Sequence, residues 1–294
     1  MGSQHRIRRV AIIGGTHGNE LTGIYVIKKL QQFPDLMQRS SFDSFTVFGN
    51  PKAFAAVRRY VDTDLNRCFL HQDLQQNHPA TYEEKRAQEI YRLLVEQNQV
   101  DVILDLHTTT ANMGQTLIVA NTSPFNLKLA AHLTAQDPAM RVLSWAKAEH
   151  TDSSLKSLCE IGFSLEIGAV PQGVLDATCF QQTESLLYAI LDYLEAYNQN
   201  RLFTDPKLFT LYQFIKAIDY PRNEQNEMQA MIHPQLQGKD YQPLHPGDPV
   251  FLTFDYQTIV YEGDSIVYPV FINEAAYYEK GIAFCLTEQK QITV

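Results

Sequence analysis

No stretch of this 294-residue chain stays apolar for long. Runs such as Val102-Ile103-Leu104 break on charge within a few residues, far short of the ~20 that a bilayer-crossing helix needs, so a transmembrane span is excluded. Cysteine is scarce. Cys68, Cys159, Cys179 and Cys285 are widely separated and form no C-x-x-C pair, which argues for reduced thiols and against a disulfide framework or a cysteine zinc site. Positive charge is in deficit, with 24 Lys and Arg against 33 Asp and Glu and a formal net charge of −9. A general nucleic-acid surface needs cations clustered over a broad face, so any anion bound here must be caught in a local basic pocket. The start, Met1 to Arg6, lacks the apolar core of a signal peptide, and Arg6 stands where a myristoylation signal has Ser or Thr. A cytoplasmic location is expected. Low-complexity segments and internal repeats are missing as well.

What remains is an ordinary globular composition, 45% hydrophobic and 19% charged, long enough for one large unit or a main domain with an appendage. The first two thirds alternate short β-branched runs with helical patterns, the rhythm of an α/β fold with a mostly parallel central sheet. Strands are predicted at Arg9–Ile13, Phe45–Phe48, Val100–Leu106 and Gly162–Ile167. Helices are predicted at Glu20–Leu30, Tyr82–Glu96, Pro124–Ala135 and Thr183–Tyr197. Past residue 200 helical patterns vanish and turns such as His245-Pro246-Gly247-Asp248-Pro249 separate short strands, which predicts a small β-rich C-terminal domain. The boundary is expected within Asn200–Pro206, giving domains of 1–202 and 203–294.

The segment Gly14-Gly15-Thr16-His17-Gly18-Asn19-Glu20 follows a predicted strand and opens a helix, at the carboxyl end of the sheet where α/β proteins build sites. His17 and Glu20, three residues apart, can bring an imidazole and a carboxylate to one side. Asp105-Leu106-His107 ends an apolar strand at the same level and offers a third ligand. Two histidines and one glutamate would leave a fourth position open, the arrangement of a catalytic zinc. A plain glycine turn and a hydrogen-bonded strand-end histidine are the blander alternatives. The glycines fit neither G-x-G-x-x-G nor a P-loop, so a nucleotide site is weaker still. Arg58 to Arg67 carries three arginines in ten residues: a solvated loop, or a carboxylate site built on the guanidinium forks of Arg59 and Arg67. Glu166 is a lone carboxylate in an apolar strand, costly to bury unless paired or near a metal, and burial could tune it as a general base. Tyr268, before Pro269, is one of fifteen tyrosines and stands out little.

Taken in order, Gly14–Glu20, Asp64-Leu65-Asn66-Arg67, Asp105-Leu106-His107 and the tail Val267–Lys280 resemble the aspartoacylase family of zinc amidohydrolases over nearly the whole chain. The resemblance implies a carboxypeptidase-like α/β domain and a C-terminal β domain that narrows the entrance to the site. It implies one Zn2+ per chain on His17, Glu20 and His107, with Glu166 as the base. Arg59 would polarise the scissile carbonyl, Asn66 and Arg67 would hold the α-carboxylate, and Tyr268 would close on the substrate. Asp64 would orient an arginine, and Asp105 would support a ligand. Two groups in the family compete: aspartoacylases, which take N-acetyl-aspartate, and the aminoacylase-3 type, which prefers N-acetylated aromatic amino acids. The arginine expected for a second substrate carboxylate is replaced by Lys156, the only fixed cation between Glu149 and Glu160, which is either a point-charge substitute or a surface residue. The expectation is an aspartoacylase acting on a small anionic N-acyl amino acid, with the aminoacylase-3 activity, a zinc carboxypeptidase and a non-catalytic binding module as alternatives. A homo-oligomer stays open.

Overall fold

A computed structural model describes residues 6–145, 153–202 and 207–294. In chain order the first part runs β1 (Arg9–Gly14), α1 (Leu21–Gln32), β2 (Asp43–Phe48), α2 (Pro51–Ala55), α3 (His71–Leu74), α4 (Tyr82–Tyr91) and β3 (Val102–Thr108). It continues with β4 (Gly114–Val119), α5 (Pro124–Gln136), β5 (Arg141–Ser144), β6 (Ile161–Gly168) and α6 (Ala177–Asn198). Then come β7 (Leu208–Ile218), β8 (Ala230–Ile232), β9 (Pro249–Thr253), β10 (Thr258–Val260), β11 (Tyr268–Val270) and β12 (Phe284–Thr293). Caps fix the helix starts. Thr81 and Glu84 form a capping box on α4, and Ser123 and Asp176 accept backbone N–H groups at the starts of α5 and α6.

One nine-stranded sheet dominates, in the order β11-β12-β7-β5-β4-β6-β3-β1-β2. The pairs β1–β2, β1–β3, β3–β6, β4–β5 and β5–β7 are parallel, and β4–β6, β7–β12 and β11–β12 are antiparallel. Alternation along each strand sorts the side chains into two faces. Val10 and Ile12 of β1, Val102, Leu104 and Leu106 of β3, and Phe163, Leu165 and Ile167 of β6 pack with α1, α5 and α6. The opposite face is shared. Ala11, Ile13 and Ile103 lie under α4, while Ile118, Leu143 and Tyr212 lie under residues of the C-terminal region such as Tyr241 and Phe271. Between those two covers this face presents Asp105, His107, Ser164 and Glu166, which share its parity.

The mixed, mostly parallel sheet agrees with the expectation; three details differ. Strands β4 and β5 were not anticipated, although Thr116-Leu117-Ile118-Val119 carries a strand composition. Helix α6 starts at Ala177 rather than Thr183, because Asp176 caps it there. The C-terminal region is β-rich as expected, but it is also joined to the first part: β7, β12 and β11 extend the main sheet, while β8, β9 and β10 form a small sheet of their own. Residues 203–206 of the expected boundary, and 149–152 of the segment around Lys156, lie outside the described residues. Among the described residues no helix is long and apolar enough to cross a membrane.

Candidate active site

The turn after β1 is held by close backbone packing. A Cβ on Gly18 would lie 2.2 Å from Phe54 N and 2.6 Å from Arg58 O, so only glycine lets α2 and its following loop press against the turn. That turn aims His17 at Glu20, the residue before α1. His17 Nδ1 lies 2.6 Å from Glu20 Oε1, and His107 Nδ1, from β3, lies 3.0 Å from Glu20 Oε2. All three residues are buried, and their ligand atoms lie within 4.8 Å of one another.

The other imidazole nitrogens are fixed by carboxylates. Asp64 Oδ1 lies 3.0 Å from His17 Nε2, and Asp105 Oδ2 lies 2.7 Å from His107 Nε2. Thr16 Oγ1 donates to the other Asp105 oxygen at 2.7 Å. Both nitrogens of each ring therefore face carboxylates, Nε2 toward Asp64 or Asp105 and Nδ1 toward Glu20; with a cation bound, each Nε2–H would donate to its outer carboxylate and each Nδ1 would offer its lone pair to the ion. Burial works against a charged Glu20, yet His17 and His107 hold its carboxyl well below the usual value. Burial likewise opposes a charged His107, but Asp105 and Glu20 raise its pKa well above 6.5. Three buried carboxylates around two imidazoles make a pocket that attracts positive charge, and the donor set of two nitrogens and one oxygen fits a metal ion with an open position.

The arginine loop is built onto this cluster rather than solvated. Arg59 donates from NH1 to Glu20 Oε1 at 2.9 Å, and its NH2 lies 3.5 Å from Asp64 Oδ2. Asp64 caps a short 3-10 turn, Leu65–Arg67, by accepting Asn66 N, and Leu155 N donates to Asn66 Oδ1 at 2.9 Å. With Oδ1 committed, the Asn66 amide nitrogen is left as a donor. From the C-terminal region Lys280 Nζ reaches Asp64 Oδ2 at 2.5 Å. Asp64 thus contacts both Arg59 and His17.

A cavity of about 500 Å³ opens beside the histidines, lined by Arg59, Asn66, Arg67, Lys156 and Glu166. Glu166 is the register partner of His107 on the neighbouring parallel strand, so the two side chains stand side by side on one face. It is partly exposed to the cavity yet lies deep in the protein. Burial pushes its carboxyl up to about 8, with Glu20 and Glu274 adding to the effect against His107 and Arg59. Lys156 is buried at 4% exposure, with Nζ donating to Ser154 Oγ at 2.6 Å, which removes the surface-residue reading.

Tyr268 is the one expected site residue that does not line this cavity. Its ring packs edge-on to Tyr212 at 5.8 Å, as part of the cluster under the sheet. The tail presents Tyr277 instead, whose phenol is driven up by burial and stays protonated. Sequence reasoning also missed Lys280, Glu274 and an apolar wall in which Trp145 packs 4.6 Å from Phe214 and stacks 5.8 Å from Phe271. Glu274 ties the two halves of the site together. Its Oε2 accepts from Thr110 N at 2.7 Å, Ala111 N at 3.2 Å and the Thr109 hydroxyl, just beyond His107.

Residues 6–194 match the succinylglutamate desuccinylase/aspartoacylase catalytic domain, and residues 207–289 match the AstE/AspA barrel-sandwich hybrid domain. A Nostoc sp. protein named "Probable aspartoacylase" is 53% identical over 98% of each chain. The "N-acyl-aromatic-L-amino acid amidohydrolase (carboxylate-forming)" of Rattus norvegicus is 42% identical over 100% of this chain and 94% of its own. The crystal structure of murine aminoacylase 3 superposes with a TM-score of 0.95 at 42% identity, covering 99% of this chain and 98% of that one. The matches cover both the catalytic face and the β region that closes over it, and on them the chain belongs to the succinylglutamate desuccinylase/aspartoacylase family.

Proposed function

We propose that the protein is a zinc-dependent deacylase that hydrolyses the amide of N-acyl amino acids, with N-acetyl-aspartate as substrate. The observation that carries this reading is the buried His17, Glu20 and His107 cluster opening onto a cavity shared by Glu166 and four cations, Arg59, Arg67, Lys156 and Lys280. Bound by the two Nδ1 atoms and the Glu20 carboxylate, zinc would supply Lewis acidity to the scissile carbonyl and to the attacking water. Glu166 then takes the proton from that water on a carboxylate oxygen and returns it to the leaving amine nitrogen; burial, which raises its carboxyl above the usual value, favours a group that both accepts and returns a proton. Arg59 faces the charge that grows on the carbonyl oxygen. Arg67 and the Asn66 amide take the α-carboxylate, and the neutral Tyr277 phenol donates to bound substrate. Water adds to the acyl carbon, the C–N bond breaks, and a carboxylate and a free amine leave.

Aspartate is favoured by Lys156. A second substrate carboxylate cannot enter a buried site without a cation to meet it, and Lys156 is a buried cation in the cavity wall. A second reading has its own observation: the wall of Trp145, Phe214 and Phe271 suits an aromatic side chain, as in the amidohydrolase relatives. Steady-state hydrolysis of N-acetyl-aspartate, N-acetyl-tyrosine and N-acetyl-phenylalanine by wild type and Lys156→Ala separates them. The aspartate reading expects KM for N-acetyl-aspartate to rise roughly 10-fold or more, in line with the ~1.5–3 kcal/mol of a charged hydrogen bond, with little change for the others. Preference of the wild type for the aromatic substrates, together with indifference to the substitution, would replace it with the second reading.

A further inference from the structure

Glu83 takes no part in the cavity, yet it is a fully buried carboxylate, 0% exposed, at the second residue of α4. Its acceptors are all committed. Oε1 accepts from Val61 N at 2.7 Å and from Asn50 Nδ2 at 3.0 Å, and Oε2 accepts from Asp62 N at 3.0 Å and Thr63 N at 3.2 Å. The contact is reciprocal, because Asp62 Oδ2 accepts Tyr82 N at 2.8 Å from the first turn of the same helix. Three successive backbone N–H groups on one carboxylate form an anion nest, here closed by the protein's own side chain at the positive end of a helix.

The clamped segment lies between two residues of the site. Arg59 is two positions before it, and Asp64 is the next residue after it. The Asp64 side has other anchors, since Leu65 is fully buried and Asp64 itself bonds His17, Asn66 N and Lys280. The Arg59 side has few. Val57 is 77% exposed with φ of 55°, and Val61 and Asp62 are exposed. From Arg58 to Thr63 the backbone holds are Arg58 N on Ala53 O, Gly18 N on Arg59 O and the three bonds to Glu83. We propose that Glu83 is a positioning residue for Arg59: by gathering the N–H groups of residues 61–63 it fixes the backbone from which the guanidinium reaches Glu20. Asn50 completes the device, as its Oδ1 caps α2 through Ala53 N while its Nδ2 serves Glu83.

Glutamine at this position keeps the shape but puts an NH2 group against backbone donors, so at least one of the clamped amides loses its acceptor. The inference rests on the deacylase reading for its kinetic arm only. In zinc-loaded full-length protein, Glu83→Gln should lower kcat about 10- to 100-fold, the scale for a sub-ångström to 1 Å displacement of a catalytic group, with zinc content retained. In an Arg59→Lys background the same change should cost less than about 3-fold, because the group it positions is already gone. Ile90→Ala, a core truncation on the same helix, controls for lost stability and should leave kcat near wild type below its melting temperature. Equal losses from Glu83→Gln in both backgrounds, or a matching loss in Ile90→Ala, would overturn the proposal. Hydrogen exchange on the wild-type protein tests it without a variant or a substrate. The amides of Val61, Asp62 and Thr63 should exchange like core amides although Val61 and Asp62 are exposed, and exchange at free-loop rates would overturn the clamp whatever the protein hydrolyses.

Discussion

Replacing Arg59 with lysine separates two jobs that its guanidinium could have. One is to place a positive charge beside Glu20, 2.9 Å away, and Asp64, 3.5 Å away; the other is to direct N–H groups at the reacting carbonyl. The Arg59 side chain is mostly buried, with NH1 and NH2 occupied by those carboxylates and a buried Nε that has no partner among the described residues. A lysine Nζ can replace the charge and one contact, but it has no fork to keep two carboxylates and still present a further donor. If charge alone matters, kcat should stay within about 3-fold of wild type, since lysine keeps a positive charge beside both buried carboxylates. If Arg59 stabilises the oxyanion, Arg59→Lys should lower kcat by ~100- to 1,000-fold, the ~2.7–4 kcal/mol of one oxyanion donor, with KM little changed. The expected outcome is the larger loss. Steady-state kinetics on N-acetyl-aspartate with zinc measured on the same sample decide it, because a full complement of zinc excludes an effect through Glu20. A near-normal kcat would refute the oxyanion role and leave Arg59 as a counter-charge for the ligand set.

Purified protein should carry about one zinc per chain, and His17→Ala or His107→Ala should lose metal and activity together by elemental analysis and kinetics. Full occupancy in both variants would sink the ligand assignment. Glu166→Gln should keep the metal and the fold but lose on the order of 100-fold or more in kcat, and a normal rate would move the base elsewhere. Asp240, buried against Asn112 N at 3.2 Å and Ile272 N at 3.1 Å, is raised by burial from its ordinary 3.8 to about 6. The folded state therefore holds its proton more tightly than the unfolded one. Its contribution to stability is full below the unfolded pKa and is lost as pH rises through about 6. Asp240→Asn should flatten that decline, so that the variant gains on wild type by up to on the order of 2–3 kcal/mol in urea titrations between about pH 4 and 7. A pH-independent difference would contradict it.

The cluster of His17, Glu20 and His107, the candidate metal ligands, was legible because each residue is announced locally. His17 and Glu20 share one turn, and His107 ends a strand whose other inward positions are apolar or, at Asp105, its own partner. Glu166 stood out for the same reason, a charge where the strand pattern calls for an apolar side chain. Lys156 was found as a departure from an expected arginine, but only the fold could bury it. Tyr268 and Tyr277 show where such reading stops. Both lie in the tail motif, but Tyr268 sits on β11, paired with Thr287, while Tyr277 lies in a 3-10 turn that leans over the cavity. No period connects a strand to the turn that follows it, so the pattern carried no information about which ring faces the site.

The same limit explains why the C-terminal region looked like an appendage. Its turn-rich texture is real, but texture reports local structure, and what makes this region part of the enzyme is pairing across the chain. β7 joins β5 in parallel, so the sheet face that bears Glu166 continues toward Phe214 and Cys285 without a break. Lys280 then crosses to Asp64, 216 residues away, and Glu274 crosses to Thr110, 164 residues away. Each contact ends on a group that braces or follows a candidate metal ligand: Asp64 holds His17, and Thr110 lies three residues beyond His107. Loosening the β region would therefore withdraw Tyr277 and Lys280 from the cavity and remove support from both histidines at once. On the deacylase reading, substrate selection and metal orientation would be coupled across the two domains through one set of buried carboxylates, Asp64 and Glu274.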